Sequence, residues 1–177
     1  DKVYLDSIGW KGIRVRKTNL QKTILDAVAQ LRAQQMPVRV VDIAAGHGRY
    51  VLDALEGVAD IEQILLRDYS ELNVSQGQQR IEGRGLQQLA RFEQGNAFDY
   101  DSLASLNPAP TLGIVSGLYE LSPGNRDLKA SLAWLAAAIP PGGLLVYTGQ
   151  PFHPQLQTIA SSLSSHPNYA TWVIRLR

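Results

Sequence analysis

The sequence predicts an α/β protein, a three-layer sandwich with a doubly wound, mostly parallel sheet. Short apolar segments alternate along the chain with longer segments whose apolar residues recur at helical spacing. Strands that read as continuous apolar runs are typical of parallel sheets covered by helices on both faces. In addition, residues 38–52 run from a β-branched strand through a glycine-containing loop into a helical pattern, as in the first unit of Rossmann-like sheets.

The first predicted element is a helix over residues 18–35. Thr18 and Gln21 have the spacing of a capping box at its start, and Pro37 follows its end.

Five strands and further helices are then expected in alternation. The strands are predicted at residues 38–43, 61–66, 89–94, 111–116 and 144–148. The helices that follow them are predicted at residues 49–57, 70–82, 101–106, 127–139 and 154–163. Gly83 or Gly85 is expected to end the helix at 70–82 in a left-handed conformation. Residues 171–176 are β-prone.

The length of 177 residues predicts a single domain. We divide it into an N-terminal arm and helix (1–36), a core sheet (37–150) and a C-terminal extension (151–177).

No cysteine is present, which excludes disulfides, thiolate metal sites and a cysteine nucleophile. A net charge of +1 gives no general attraction to nucleic acid, and no apolar run approaches the ~20 residues that span a bilayer. We expect a small-molecule partner, no metal, no nucleic acid, no membrane span and a cytoplasmic location.

Ligands of doubly wound sheets bind at the carboxyl ends of the strands, so the loops there hold the candidate site residues. After the first strand come Asp42, Ala44, Gly46 and Gly48, a run of small residues that lets the backbone approach a ligand closely. The glycine spacing matches the start of a dinucleotide fingerprint, but Val51 occupies its third glycine position, which disfavours NAD(P). A tight turn without a ligand is the alternative.

The loop after the second strand contains Asp68 and Tyr69. Asp68 lies 22 positions after Gly46, where an acidic side chain can accept hydrogen bonds from ribose hydroxyls. The alternative is that Asp68 or Ser70 caps the next helix.

The loops after the third and fourth strands carry weaker signals. Asn96, Ala97 and Phe98 could bind the edge and face of an adenine, or form an ordinary turn. Ser116 ends the fourth strand and is expected at the same edge of the sheet.

Taken together, these loops resemble the class I S-adenosylmethionine-dependent methyltransferases. The resemblance rests on residues 40–48, Asp68, residues 95–98 and residues 140–147, and it covers about residues 38 to 150. More narrowly, residues 42–50 and 147–155 are similar to a bacterial methyltransferase family in which this domain is often fused behind an α/β-hydrolase domain. The resemblance therefore implies S-adenosyl-L-methionine as cofactor and a fused or associated α/β-hydrolase domain as partner.

The chain departs from the family pattern at two positions and at its C-terminal end. Ala44 replaces the first glycine of the loop, which is tolerated where φ stays negative. Asn96 replaces an acidic residue, which changes the expected adenine contact from a carboxylate to an amide. Class I enzymes commonly finish with a helix and an antiparallel hairpin, and we expect the hairpin to be lacking here.

The implied reaction is methyl transfer from S-adenosylmethionine to an unidentified small-molecule or lipid-like acceptor. The sulfonium methyl group is already activated, so the protein mainly aligns donor and acceptor, and a general base is needed only for a weakly acidic acceptor. The candidates for that base are Tyr119, Glu120 and His153. The alternatives are a non-catalytic S-adenosylmethionine-binding module of a larger protein and an NAD(P)-dependent oxidoreductase, the latter disfavoured by Val51.

Lys11, Arg14, Arg16 and Lys17 place four cations within seven positions near the N-terminus. A solvated arm is the favoured interpretation. Binding of an anionic head group, or closure over the cleft as a lid, is the alternative.

Overall fold

The structure is a computed structural model that describes residues 6–121, 125–149 and 154–155. The five strands are β1 (Val38–Asp42), β2 (Ile61–Asp68), β3 (Ala90–Gln94), β4 (Leu112–Val115) and β5 (Leu144–Tyr147). The helices are α1 (Ile8–Ala33), α2 (Arg49–Leu55), α3 (Glu71–Gly83), α4 (Tyr100–Ala104) and α5 (Asn125–Ala138), with a 3₁₀ turn at Tyr119–Leu121.

All five strands pair in parallel in one sheet with the order β3-β2-β1-β4-β5. The order reverses between β1 and β4, which is the switch point where doubly wound sheets bind ligands. This arrangement confirms the predicted fold class.

Two apolar clusters cover the two faces of the sheet. On one face, α1, α2 and α3 pack on β1 and β2 around Leu31, Leu52 and Ile81. On the other face, α4, α5 and the 3₁₀ turn pack around Leu103, Leu135 and Tyr119. The three layers therefore enclose a sheet whose central strands are almost wholly buried.

The register brings the carboxyl ends of the central strands to one edge. Asp42 pairs with Leu66 of β2 and with Ile114 of β4, and Asp68 at the end of β2 pairs with Gln94. The loops that follow β1, β2, β3 and β4 consequently leave the sheet side by side.

The start of the first helix was wrongly predicted. α1 begins at Ile8 rather than at residue 18, and Thr18 lies inside it, where its hydroxyl donates to the Arg14 carbonyl (3.3 Å). A threonine bonded back to the preceding turn can sit within a helix, so the spacing of Thr18 and Gln21 did not mark a start. Ser7 is at the N-cap position, where serine is common, although its side chain makes no capping hydrogen bond there.

Of the two glycines expected to end the helix at 70–82, Gly85 is left-handed (φ +66°), whereas Gly83 is the last residue of α3.

Residues 154 and 155 form a turn. The rest of the helix predicted at 154–163, residues 171–176 and the question of the C-terminal hairpin lie outside the described residues. Within the described ranges, no helix is both long and apolar enough to cross a membrane.

Candidate functional site

The loop between β1 and α2 turns sharply at two left-handed glycines. Gly46 has φ +56° and Gly48 has φ +67°, a conformation that costs a side-chain-bearing residue free energy. A Cβ on Gly48 would also overlap the Leu66 side chain, whereas the space beside Gly46 is open. Gly48 therefore serves close packing of the loop on β2, and Gly46 leaves room for a ligand against the backbone.

Ala44 has an ordinary backbone conformation. In the described part of the chain, Gln35 and Asp60 are the only non-glycine residues with positive φ. Alanine at position 44 therefore fits the loop without strain, and its amide donates to Asp42 Oδ1 (3.3 Å).

Asp42, the last residue of β1, is fully buried. The Tyr50 hydroxyl donates to its Oδ2 (2.6 Å), from the first turn of α2. Burial, with a smaller contribution from the negative charge of Asp68, raises the pKa of Asp42 to about 7, against the opposing effect of the Tyr50 and Ala44 hydrogen bonds. Burial and the neighbouring Asp42 also raise the pKa of Tyr50. Tyr50 lies in the stretch 42–50 on which the family resemblance rests, but no role at the site was predicted for it.

Asp68 joins the loops that follow β1 and β2. Its Oδ2 accepts from the Gly46 amide (2.9 Å), and its Oδ1 accepts from the Ser70 amide (3.0 Å) and from Asn73 Nδ2 (2.9 Å). The cap of α3 is Ser70, whose Oγ accepts from the Asn73 amide (3.4 Å). Of the two residues considered as the cap, Ser70 has that role, and the Asp68 carboxylate is directed to the glycine loop.

The loop after β3 is an ordinary turn in this structure. Asn96 is exposed, and its Oδ1 accepts from the Phe98 amide (2.9 Å). Ala97 is buried and Phe98 is half-buried at the edge of the second apolar cluster. Tyr69, in the neighbouring loop, is 75% exposed. These residues stand beside the Asp68 loop, because Asp68 pairs with Gln94 at the ends of the two strands.

The loop after β4 approaches the same place from the other side. The half-buried Ser116 hydrogen-bonds to Tyr50, and the Gly117 amide donates to Thr148 Oγ1 after β5 (3.0 Å). Asp42, Tyr50 and Ser116 are therefore linked at the switch point of the sheet.

The three candidate bases have different surroundings. Tyr119 is 1% exposed, and its hydroxyl lies 3.0 Å from Ser131 Oγ inside the core. Glu120 is 8% exposed. One of its carboxylate oxygens forms an ion pair with Arg16 of α1, and within the described residues its buried Oε2 has no hydrogen-bond partner. His153 lies outside the described residues.

The N-terminal cations are not a solvated arm, because they belong to α1 and two of them bind the domain. Arg16 holds Glu120, and Lys17 pairs with Asp53 of α2 (2.7 Å). Local sequence gives no sign of these pairs, since Arg16 and Glu120 are 104 positions apart.

A cavity of about 690 Å³ lies between α1 and the end of β5. Its wall includes Ile8, Lys11 and Arg16 of α1 and Tyr147 and Thr148 of the sheet. In the described ranges, no group of three or more acidic, histidine or cysteine residues could hold a metal ion.

A family model described as "Putative methyltransferase" matches residues 1–177. The chain is 62% identical over 177 residues to "Uncharacterized protein YnbC" of Escherichia coli (strain K12), an alignment that covers 100% of this chain and 30% of that protein. The chain thus spans 30% of the length of this curated relative.

Solved structures share the fold at low sequence identity. An S-adenosylmethionine-dependent methyltransferase from Clostridium acetobutylicum ATCC 824 aligns with a TM-score of 0.62 and 14% identity, over 89% of this chain and 56% of that one. A SAM-dependent methyltransferase from Thiobacillus denitrificans, in complex with S-adenosyl-L-homocysteine, aligns with a TM-score of 0.57 and 20% identity, over 81% of this chain and 52% of that one.

Proposed function

This chain belongs to the family described as "Putative methyltransferase", and on that premise we propose that it transfers a methyl group from S-adenosylmethionine to a small-molecule or lipid-like acceptor. The observation that supports this most is the hydrogen bond between the Asp68 carboxylate and the Gly46 amide (2.9 Å). It brings an acidic side chain at the end of β2 beside a glycine loop at the end of β1, where Rossmann-like sheets place the acidic residue that binds a ribose.

The residues at this edge suit the cofactor. The open space beside Gly46 admits a ligand against the backbone. A carboxylate offers about four acceptor positions, and three donors contact Asp68, so acceptor capacity is left for a ribose hydroxyl. Asn96, Ala97 and Phe98 adjoin this position and would meet the adenine, with Tyr69 at its exposed side.

When bound, S-adenosylmethionine supplies a methyl group on a positively charged sulfur, which keeps the bonding electrons as the methyl group leaves. The task of the protein is then to orient the acceptor in line with that bond and to exclude water. Asp42, Tyr50 and Ser116 form the floor at the switch point, and Asp42 and Ala44 hold the glycine loop in place.

Glu120 is the residue that we propose as proton acceptor where the substrate must lose a proton. Its Oε2 is buried and has no hydrogen-bond partner among the described residues, while Arg16 holds the other oxygen. A buried acceptor without a donor costs free energy unless a ligand supplies one. Tyr119 is less suited, because its hydroxyl is engaged with Ser131 in the core. His153 remains a sequence-based candidate.

The test is calorimetric titration of the 177-residue chain with S-adenosylhomocysteine, S-adenosylmethionine and NADH. We expect binding of both sulfur ligands and none of the dinucleotide. Binding of NADH alone would contradict the proposal and favour an oxidoreductase. Binding of both sulfur ligands without methyl transfer to any compound in a broad acceptor screen would favour the non-catalytic module.

The longer protein in which this chain acts and its location in the cell are also proposals. Because the chain spans 30% of its Escherichia coli relative, we propose that it acts in a longer protein, with an α/β-hydrolase domain as the fused or associated partner. We propose a cytoplasmic location, where S-adenosylmethionine would be available to the site.

A further inference from the structure

We propose that the cavity between α1 and β5 binds the methyl acceptor, and that this acceptor is an amphipathic anion: an apolar body carrying a carboxylate or a similar negative group. The proposal rests on the proposed methyl transfer and adds the chemical class of its substrate. It starts from the cavity's volume, about 690 Å³, which is within the range of small-molecule sites.

The wall of the cavity is largely apolar, and three of its large apolar side chains are exposed. Ile8 is 64% exposed, Val15 60% and Tyr147 46%, and all three line the cavity. Large apolar side chains gathered on one concave surface are typical of a binding site. An apolar ligand body would cover them and gain the free energy of their burial.

The charge of the wall is positive. Among the described residues the lining includes Lys11 and Arg16 and contains no aspartate or glutamate. Arg16 is neutralised by Glu120. Within the described ranges the Lys11 ammonium has no carboxylate partner, in contrast to Lys17 and Lys22, which pair with Asp53 and Asp26. Among the described lining residues, Lys11 is therefore the charge without a carboxylate partner, and an anionic ligand group is its complement.

The cavity adjoins the proposed transfer site through two contacts. Arg16 lines the cavity and pairs with Glu120 after β4. Thr148 also lines it and accepts from the Gly117 amide of the same loop (3.0 Å). Arg16 is thus the residue that links a ligand in the cavity to Glu120, while the anionic group of that ligand is held at Lys11, five residues before Arg16 along α1.

The experiment measures binding of sodium decanoate, decanol and decyltrimethylammonium to the 177-residue chain by calorimetry. Decanoate is expected to bind more tightly than decanol, and decyltrimethylammonium more weakly than either. Lys11→Gln should weaken decanoate binding about three- to five-fold, the effect of one exposed ion pair, and leave decanol binding unchanged. The control is Lys22→Gln, on the same helix but outside the cavity, which should change neither affinity.

A second pair of variants tests the cavity itself. Gly12 lines the cavity, is helical and has open space where a Cβ would stand, so Gly12→Phe places a ring in the cavity and does not lower helix propensity. It should abolish decanoate and decanol binding. Gly83→Phe makes the same change at another helical glycine with open space, outside the cavity, and should leave both affinities unchanged.

Titration with S-adenosylhomocysteine separates this inference from the proposed function. If S-adenosylhomocysteine binds but decanoate does not, or if Gly12→Phe leaves decanoate binding intact, the cavity is not the acceptor site. The proposed cofactor site is unaffected by either result. Equal binding of the three decyl compounds would show that the cavity is apolar but does not select an anion. If decanoate binds as expected and S-adenosylhomocysteine does not, the cavity stands as an anion site and the methyl-transfer role fails.

Discussion

Asp68 contacts both the glycine loop and the start of α3, so its substitution tests the cofactor site directly. We expect Asp68→Asn to weaken S-adenosylhomocysteine binding by about 1.5–3 kcal/mol, the usual worth of hydrogen bonds to a charged group. An amide can no longer accept on both sides. Calorimetry measures the change in affinity, and thermal unfolding shows how much stability is lost.

The matched control is Asn73→Ala. It removes the 2.9 Å donor to Asp68 Oδ1 and leaves the Gly46 contact in place. It should lower the melting temperature slightly and leave the affinity for S-adenosylhomocysteine unchanged. An Asp68→Asn protein that binds as tightly as the original would show that Asp68 has only the structural role.

Asp42 predicts a pH dependence of stability. Its pKa is raised to about 7 in the folded state, whereas an aspartate in the unfolded chain titrates near its ordinary value of 3.8. Between about pH 4 and 7 the folded protein keeps a proton that the unfolded chain releases. The free energy of unfolding must therefore fall as pH rises through this window, by an amount on the order of a few kcal/mol.

Asp42→Asn removes the titrating group and keeps the shape of the side chain. We expect thermal unfolding of this variant, followed from pH 4.5 to 7.5, to lose much of the decline that the unaltered protein shows. An identical decline in both proteins would mean that another group is responsible. Asp60→Asn, at an exposed position, is the control and should leave the profile unchanged.

At the scale of elements, the two glycines of the loop between β1 and α2 should respond differently to the same substitution. Gly48→Ala combines a left-handed φ with overlap of Leu66, and we expect it to destabilise the protein by about 2–4 kcal/mol. Gly46→Ala meets open space, so it should cost only about 1 kcal/mol while weakening S-adenosylhomocysteine binding. Chemical denaturation and calorimetry separate the two effects. Equal destabilisation by both would contradict the packing role of Gly48.

The elements that could be predicted from the sequence are those with a continuous apolar pattern. β1 and β4 were predicted within one residue at each end, because a buried parallel strand is an uninterrupted apolar run. β2 extends two residues beyond the predicted end at Leu66, since Arg67 is buried in the strand and contacts Ser102. A charged residue in a strand interior gives no such signal.

For the site, sequence spacing indicated Asp42, Gly46, Gly48 and Asp68, and the structure brings these residues together at one edge. Local patterns could not have found the contacts of Tyr50 and Arg16, because these contacts join each residue to a different element. Contacts of this kind follow from the packing of the whole chain. The functional role of each candidate stays a prediction until ligand binding is measured.

At the scale of the whole molecule, the strands of the sheet differ in how deeply their residues are buried. All four residues of β4 are buried, whereas β5, an edge strand of the sheet in the described part of the chain, has three half-buried residues and one exposed residue. We expect the backbone amides of β5 to exchange hydrogen at least about ten-fold faster than those of β4, because edge strands open with less loss of buried contact. Mass spectrometry of peptic fragments measures this directly. Equal protection of both strands would contradict it.

α1 joins the two ends of the described chain into one unit. Its residues Arg16 and Lys17 pair with Glu120 and Asp53, and the Gly9 amide donates to the side chain of Gln155 (3.1 Å). The division at residue 36 proposed from the sequence therefore separates segments that contact one another, and we propose that residues 1–177 fold as a single domain.

The bond between Asp68 and the Gly46 amide has a thermodynamic consequence for ligand recognition. It holds the glycine loop in its turn before any ligand arrives, so the conformational entropy of that loop is lost during folding. A nucleoside that settles against Gly46 meets a preorganised surface. Because the loop loses little further conformational entropy on binding, the affinity of the nucleoside is reduced little. The nucleoside should associate with the protein as it would with a rigid receptor.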